Sequence, residues 1–265
     1  MYQEEKWKEL CNDTLVRMKD HVEPFITPIW KYNDVDEKDI KLHGSGSYFE
    51  NPYGQFIITN EHVAKYNQGF RLTHSFKGSQ DILNIRNPFL SELPPIDTAI
   101  SRIDNDIWLD HKCEGEAIPL KRFATKHSPV ENELLFFAGF SGERSRVLFE
   151  NCFSRGTPFL TQECPFPVSI EKQADQTYHM SIPYPPELAE TSDSSEPLPD
   201  PHGFSGSLLW NTKRIECKKK EIEWSPSMAE VTAIIWGWPS SSVCILATKI
   251  EHINLEEMTR EYQKL

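Results

Sequence analysis

The chain has 265 residues, and 28 lysines and arginines against 40 aspartates and glutamates give a formal net charge of −12. Phosphate binding needs a basic face, so this balance argues against a nucleic-acid-binding protein. The length suffices for one large domain or for two halves of about 110–130 residues with cores of their own.

Met1–Leu10 is charged throughout and no apolar stretch comes after it, so no secretory leader is expected. Tyr2–Val22 sets Trp7, Leu10, Leu15, Met18 and Val22 at helical spacing, and Pro24 ends that helix. Short runs rich in Ile, Val, Phe and Thr then succeed one another. They are QFIITN (55–60), GFRLTHSF (69–76), TAISRI (98–103), ELLFFAGF (133–140), RVLFENCF (146–153), QTYHMSI (176–182), SLLWNT (207–212), EVTAIIWGW (230–238) and VCILATKI (243–250). Gly, Pro, Asn and Ser clusters separate them, which predicts many short strands in a sandwich or barrels rather than a βαβ sheet. Asn211–Ala229 reads as a long, lysine-rich loop. Asn254 and Glu257 form a capping pair ahead of a C-terminal helix carrying Leu255, Met258, Tyr262 and Leu265.

The longest uncharged run, the 18 residues Val231–Thr248, is interrupted by Gly237, Pro239 and three serines. Two buried strands joined by a turn account for it better than a membrane span, so no membrane association is expected. The six cysteines have no CxxC or regular spacing, which reads as reduced thiols in a cytoplasmic protein. HKCEGE (111–116) lacks a second ligand pair, and neither a metal nor a cofactor is expected. From Gln173 to Thr212 there is no Lys or Arg, while Asp175, Glu187, Glu190, Asp193, Glu196 and Asp200 are acidic and six prolines lie between Ile182 and His202. That composition predicts an extended loop, either a solvated surface segment or, over 183–202, a gate to a site beside it.

The acidic loop leads into DPHGFSGSLLW (200–210), in which two of the chain's 12 glycines flank Ser205. Glycine is costly to order and is best used where a backbone turns tightly or something approaches closely. A serine hydroxyl becomes a nucleophile only when a base takes its proton and donors hold the resulting oxyanion. The N–H groups of Gly203 and Ser205 are candidates for those donors. An α/β-hydrolase order fails, because no Asp lies beyond Ser205 and only His252, beside Glu251, remains. An Asp36, His62, Ser205 order of subtilisin type has no support from the local sequence at either partner. The order His62, Asp97, Ser205 has it: FIITNEHVA (56–64) ends a strand just before His62, and Asp97 opens the alternating strand of IDTAISRI (96–103).

These segments resemble the trypsin-like serine peptidases of the chymotrypsin fold, especially bacterial members without disulfides. HGSGSYFENPYGQFIITNEHVA (43–64), PIDTAISRI, ELLFFAGFSG (133–142) and GFSGSLL carry the likeness, with VTAIIWGW and ILATKIEHI as the substrate-edge and final strands. The likeness covers about residues 43–255. It implies an all-β fold of two six-stranded antiparallel β-barrels with N- and C-terminal helices. The corresponding division is residues 1–30 as a helical extension, 31–115 as the first barrel, and 116–265 as the second barrel with the terminal helix. It implies Ser205 as nucleophile, His62 as base, Asp97 as orienting acid, and Gly203 with Ser205 as oxyanion donors. It also puts Pro199, Asp200, Trp236 and Gly237 at the substrate pocket, with Asp200 either selecting a basic residue or facing solvent.

Phe204 stands where secreted trypsins have an acid that pairs with a freed N-terminus, so activation by cleavage is not expected. Val63, Pro201 and Ser207 are further departures, and none removes a member of the trio. The expected partners are a protein or peptide substrate and a regulatory protein, and stress response or phage defence is the setting that the resemblance implies. The competing readings are a catalytically silent trypsin-like fold that binds protein, and an unrelated β-sandwich in which the three motifs coincide by chance.

Overall fold

The computed structural model describes residues 2–33, 40–65, 70–79, 81–111, 115–148, 151–167, 174–184, 198–239 and 243–265. Half of HKCEGE (112–114) and most of the acidic proline-rich segment (185–197) lie outside these residues.

Helix α1 (Tyr2–Val22) runs as its spacing predicts. The first sheet takes β1 (Ile26–Asn33), β2 (Ile40–Asn51), β3 (Gly54–Thr59), β4 (Phe70–His74), β5 (Leu83–Asn84), β6 (Leu90–Glu92), β7 (Thr98–Arg102) and β8 (Ile118–Pro119). Between them lie the one-turn helix α2 (Glu61–Ala64) and α3 (Asn105–Asp110). Its order is β5-β4-β1-β2-β3-β7-β6, antiparallel throughout, with β8 pairing β2 in parallel. It carries eight strands rather than six because the two-residue β5 and β8 join it. The second sheet has six strands: β9 (Leu135–Leu148), β10 (Asn151–Thr161), β11 (His179–Pro183), β12 (Leu208–Asn211), β13 (Glu230–Gly237) and β14 (Cys244–Lys249). They run in the order β10-β9-β12-β13-β14-β11, and a bridge from Cys164 to Ser181 joins the two ends. Helices α4 (Arg214–Lys219) and α5 (Leu255–Tyr262) complete the chain.

Two sequence readings change. RVLFENCF is not one strand: Arg146–Leu148 end β9 and Asn151–Phe153 begin β10, with Asn151 facing Leu148. Apolar residues at the end of one strand and the start of the next look like one continuous run when only composition is read. Asn211–Ala229 is not a plain loop but contains α4. Buried Glu133, 3 % exposed, caps that helix from outside, accepting from Ile215 N (2.8 Å) and Glu216 N (2.9 Å). The cap comes from 82 residues upstream.

The uncharged run 231–248 resolves into β13 and β14, and no helix among the described residues is long and apolar enough to cross a membrane. None of the five described cysteines is in a disulfide. One apolar cluster crosses from sheet to sheet, joining Phe49, Phe56 and Ile100 to Phe136, Trp210 and Ile234. Met18 and Val22 of α1 belong to it, and Arg214 ties α1 to α4 through Asp13 at 2.8 Å. Asn254 caps α5 by accepting from Glu257 N (3.1 Å), as the capping pair predicts. The helix then reaches back to the first sheet, where Tyr262 Oη donates to Pro88 O (2.6 Å).

His74 on β4 is buried against Tyr48 and Phe76, with Nδ1 2.8 Å from Tyr48 Oη. Burial, with a smaller contribution from His111, pushes its pKa down to about 3. The unfolded chain therefore takes up this proton first, so stability is full above about pH 6.5 and is lost as pH falls toward the folded value. His74→Asn keeps an acceptor for Tyr48 and removes the titration. Urea unfolding should show the loss between pH 6.5 and pH 5 reduced by roughly 2 kcal/mol in this variant.

Candidate active site

β3 pairs antiparallel with β7, Thr59 facing Ala99, so the residues after one strand and before the other meet at the same sheet end. His62 lies on α2 just past β3, and Asp97 just before β7. Asp97 adopts a left-handed backbone (φ 52°), a conformation that a short polar side chain tolerates. It is 1 % exposed, and its carboxylate faces His62 twice. Oδ2 lies 2.5 Å from His62 Nδ1, and Oδ1 accepts from the His62 amide at 2.9 Å. Asn60 Nδ2 donates to Asp97 O (2.8 Å), fastening the two segments together. A carboxylate on Nδ1 assigns the neutral ring's proton to that atom and leaves Nε2 as the base. The His62 side chain, 46 % exposed, opens to solvent.

Two more histidines frame this pair. His43 on β2 is held below the usual imidazole range by burial and by the nearby charges of Lys31 and His62, against a hydrogen bond with the Val63 backbone. His179 on β11 is also depressed, chiefly by burial. Its Nδ1 accepts from Asp175 N (3.1 Å) and its Nε2–H donates to Pro95 O (3.0 Å). It thus ties the loop that carries Asp97 to the second sheet, with its ring 4.9 Å from that of Trp236.

Ser205 sits in the loop that feeds β12. Consecutive turns bend it, Phe204 N to Pro201 O (3.0 Å) and Ser207 N to Phe204 O (2.9 Å). Gly203 has φ +106°, and a Cβ there would stand 2.5 Å from Phe140 O. The loop is pinned from both sheets. Gly206 N donates to Ile235 O on β13 (3.0 Å), and Ser45 N on β2 donates to Ser205 O (2.8 Å). Ser45 Oγ donates to Gly203 O (2.7 Å) and accepts from Phe140 N (2.9 Å).

Among the described residues no acceptor takes the N–H groups of Gly203 and Ser205, the two proposed oxyanion donors. Ser205 Oγ points to Trp236 O at 3.5 Å, and no hydrogen bond joins it to His62. Gly44 separates the two segments. A Cβ on Gly44 would lie 2.6 Å from Val63 Cγ1, beside His62, and 3.3 Å from Ser205 O.

His62 and Asp97 are therefore in direct contact, while Ser205 lies across Gly44 on a loop of the other sheet. Of the pocket residues, Pro199 is buried, and Trp236 and Gly237 are partly open at the end of β13. Asp200 is engaged locally, its Oδ1 accepting from His202 N (2.8 Å) and facing His202 Nδ1. Ser45, Asn60 and His179 carry no local signal that singles them out as site residues. Ser45, in the GSG of residues 44–46, and Asn60, two residues before His62, stand within the 43–64 segment of the resemblance, and His179 does not.

A comparison with protein-family models finds no match, and none of the curated proteins matches the chain. Solved structures do. The serine endoprotease from Yersinia pestis aligns over 93 % of this chain and 67 % of its own, with 14 % identity and a TM-score of 0.53. The HtrA-type protease AlgW, solved with a tripeptide, aligns over 94 % of this chain and 64 % of its own, with 12 % identity and a TM-score of 0.54. The chain thus spans about two thirds of each of those two. At such identities the likeness concerns architecture, and the fold of this chain is the chymotrypsin-like fold of these serine proteases.

Proposed function

We propose that the chain is a serine endopeptidase that hydrolyses peptide bonds of protein substrates. The observation that carries this reading is the His62–Asp97 pair, with its 2.5 Å contact, beside a glycine-flanked serine whose loop leaves two amides without acceptors among the described residues. Ser205 Oγ attacks the scissile carbonyl while His62 Nε2 takes its proton and later returns it to the leaving amine. Asp97 holds the tautomer and stabilises the imidazolium, and the Gly203 and Ser205 amides hold the oxyanion. For the attack, the hydroxyl turns from Trp236 O toward Nε2; catalytic hydrogen bonds are commonly loose until substrate binds. A fluorophosphonate probe tests the reading: it should label the wild type and leave Ser205→Ala unlabelled.

A catalytically silent binding module is the second reading, and the absent Ser205–His62 hydrogen bond is what favours it. An unlabelled wild type that nonetheless binds protein would favour that alternative. By resemblance alone, the enzyme reading extends to a regulated cytoplasmic enzyme acting with a partner in stress response or phage defence.

Asp200 is the proposed selector of a basic residue before the cleaved bond, within a sequence stretch, 173–212, that has no lysine or arginine. Its carboxylate is shared with His202, whose side chain is 82 % exposed, so the expected preference is modest. In a positional peptide library, Asp200→Ala should lower turnover of Lys and Arg substrates relative to Leu by roughly fivefold to tenfold. If the wild type shows no basic preference, Asp200 has no such role.

A further inference from the structure

A groove of about 480 Å³ opens where α1, the turn after β4 and the β9–β10 hairpin meet. Its floor is apolar, including Ile26, Ala138, Phe140 and Pro158. Among the described residues its walls bear the cations Lys19, Lys77 and Arg146, with Arg144 and Arg155 beside them already engaged in contacts of their own, against the single carboxylate of Glu23. Lys77 already neutralises that carboxylate at 2.9 Å. In a chain of net charge −12, so one-sided a lining is the reverse of the average surface.

The charges converge for structural reasons. Arg144 and Arg146 are two apart on β9 and so point to one face of the ribbon. Lys19 comes from the last turns of α1, and Phe153, 42 % exposed, stands opposite Arg146 in the hairpin register. The lining residues come from both β9 and β10, so the groove runs along the β9–β10 ribbon, a length that suits an extended chain.

We infer that this groove docks an acidic, extended peptide that places apolar side chains on the floor and carboxylates against the cationic walls. Two features favour a peptide over a phosphate or nucleotide: the apolar residues of the floor and the distribution of cations over three elements. Nucleic acid is disfavoured as well, because the net negative charge of the whole chain repels a polyanion. The inference rests on the groove alone and does not require the proteolytic reading.

The test is fluorescence anisotropy with a fluorescein-labelled peptide of alternating glutamate and isoleucine or phenylalanine. Ser205→Ala is the receptor, so that cleavage cannot interfere. Saturable binding is expected, weakening by about tenfold in Arg146→Glu and again in Lys19→Glu, and falling with added salt. A glutamine analogue of the peptide should bind no better than the charge-reversed variants allow. The inference is overturned if binding is absent, if both reversals leave the affinity unchanged, or if inorganic triphosphate binds and the peptide does not. Blocking Ser205 in the wild type with the phosphonate should leave the affinity intact. A loss on blocking would mean that the peptide occupies the cleft at Ser205 and not the groove.

Discussion

Ser205→Ala is expected to lower peptide-bond turnover by roughly 10⁶-fold while the protein stays folded. The reasons are chemical and structural. Without the hydroxyl there is no acyl-enzyme route, and the residual rate comes only from binding and the oxyanion donors. Structurally, the side chain bears little, since its one described hydrogen bond is the 3.5 Å contact to Trp236 O. The loop is held instead by main-chain groups that alanine retains, Ser205 O with Ser45 N and Gly206 N with Ile235 O. Its melting temperature should therefore match the wild type's within about 2 °C. Asp97→Asn is the sharper companion. The amide retains an acceptor for the His62 main chain, but an NH₂ facing Nδ1 favours the tautomer with its proton on Nε2, where the base is needed. Turnover should fall by roughly 10⁴-fold with the fold unchanged. Steady-state kinetics on a cleavable library peptide, with a thermal melt of each variant, measures both effects. Wild-type turnover in Ser205→Ala would remove the serine from the mechanism outright.

Gly206→Ala is expected to cost about 2–6 kcal/mol, the largest stability loss of any single methyl group added near the site. Gly206 has φ +90°, a region that costs an L-residue about 1–3 kcal/mol. The added Cβ would also lie 2.1 Å from Ser45 O and 2.3 Å from Thr59 Oγ1. Neither can step aside easily. Thr59 Oγ1 itself donates to Ser45 O (2.8 Å), and both residues are buried in paired strands of the first sheet. Overpacking of this kind adds about 1–3 kcal/mol. Relief would require the loop to withdraw from β2, breaking the Ser45 N to Ser205 O bond and moving the nucleophile, so activity should fall with stability. Gly142→Ala is the control, because the nearest atom to its added Cβ is 4.0 Å away. Differential scanning calorimetry should show a drop of roughly 5–20 °C for Gly206→Ala and almost none for Gly142→Ala. Equal melting temperatures for the two variants would show that the loop is not clamped as described.

Much of the architecture was legible in local pattern. The helices at Tyr2–Val22 and Leu255–Tyr262 follow from apolar spacing and from the Asn254 cap. Most strands follow from runs of β-branched and aromatic residues, because those side chains need a pleated, half-buried surface. His62, Asp97 and Ser205 were legible for a related reason. Each stands at a strand end, with the glycines or polar turn residues that expose a side chain there. Local pattern failed where two antiparallel strands fall within one apolar run, as in RVLFENCF. It also failed where a helix depended on a cap from afar, as α4 depends on Glu133.

The sequence by itself determined which residues have the chemistry, namely a serine between glycines, a histidine after a strand and an aspartate before one, together with the propensities of the elements that carry them. Only the tertiary structure decided how they meet. The β3–β7 register brings Asp97 onto His62 across 35 residues, and Ser45 reaches Gly203 across 158. His179 reaches Pro95 across 84 residues. The gathering of cations from α1, the turn after β4 and the β9–β10 hairpin into one groove is likewise a result of packing. Such contacts depend on strand register and on how two sheets share one core, and these are properties of the whole chain's burial rather than of any segment. A one-residue slip in β3 would turn the same local sequence to the opposite face and part His62 from Asp97.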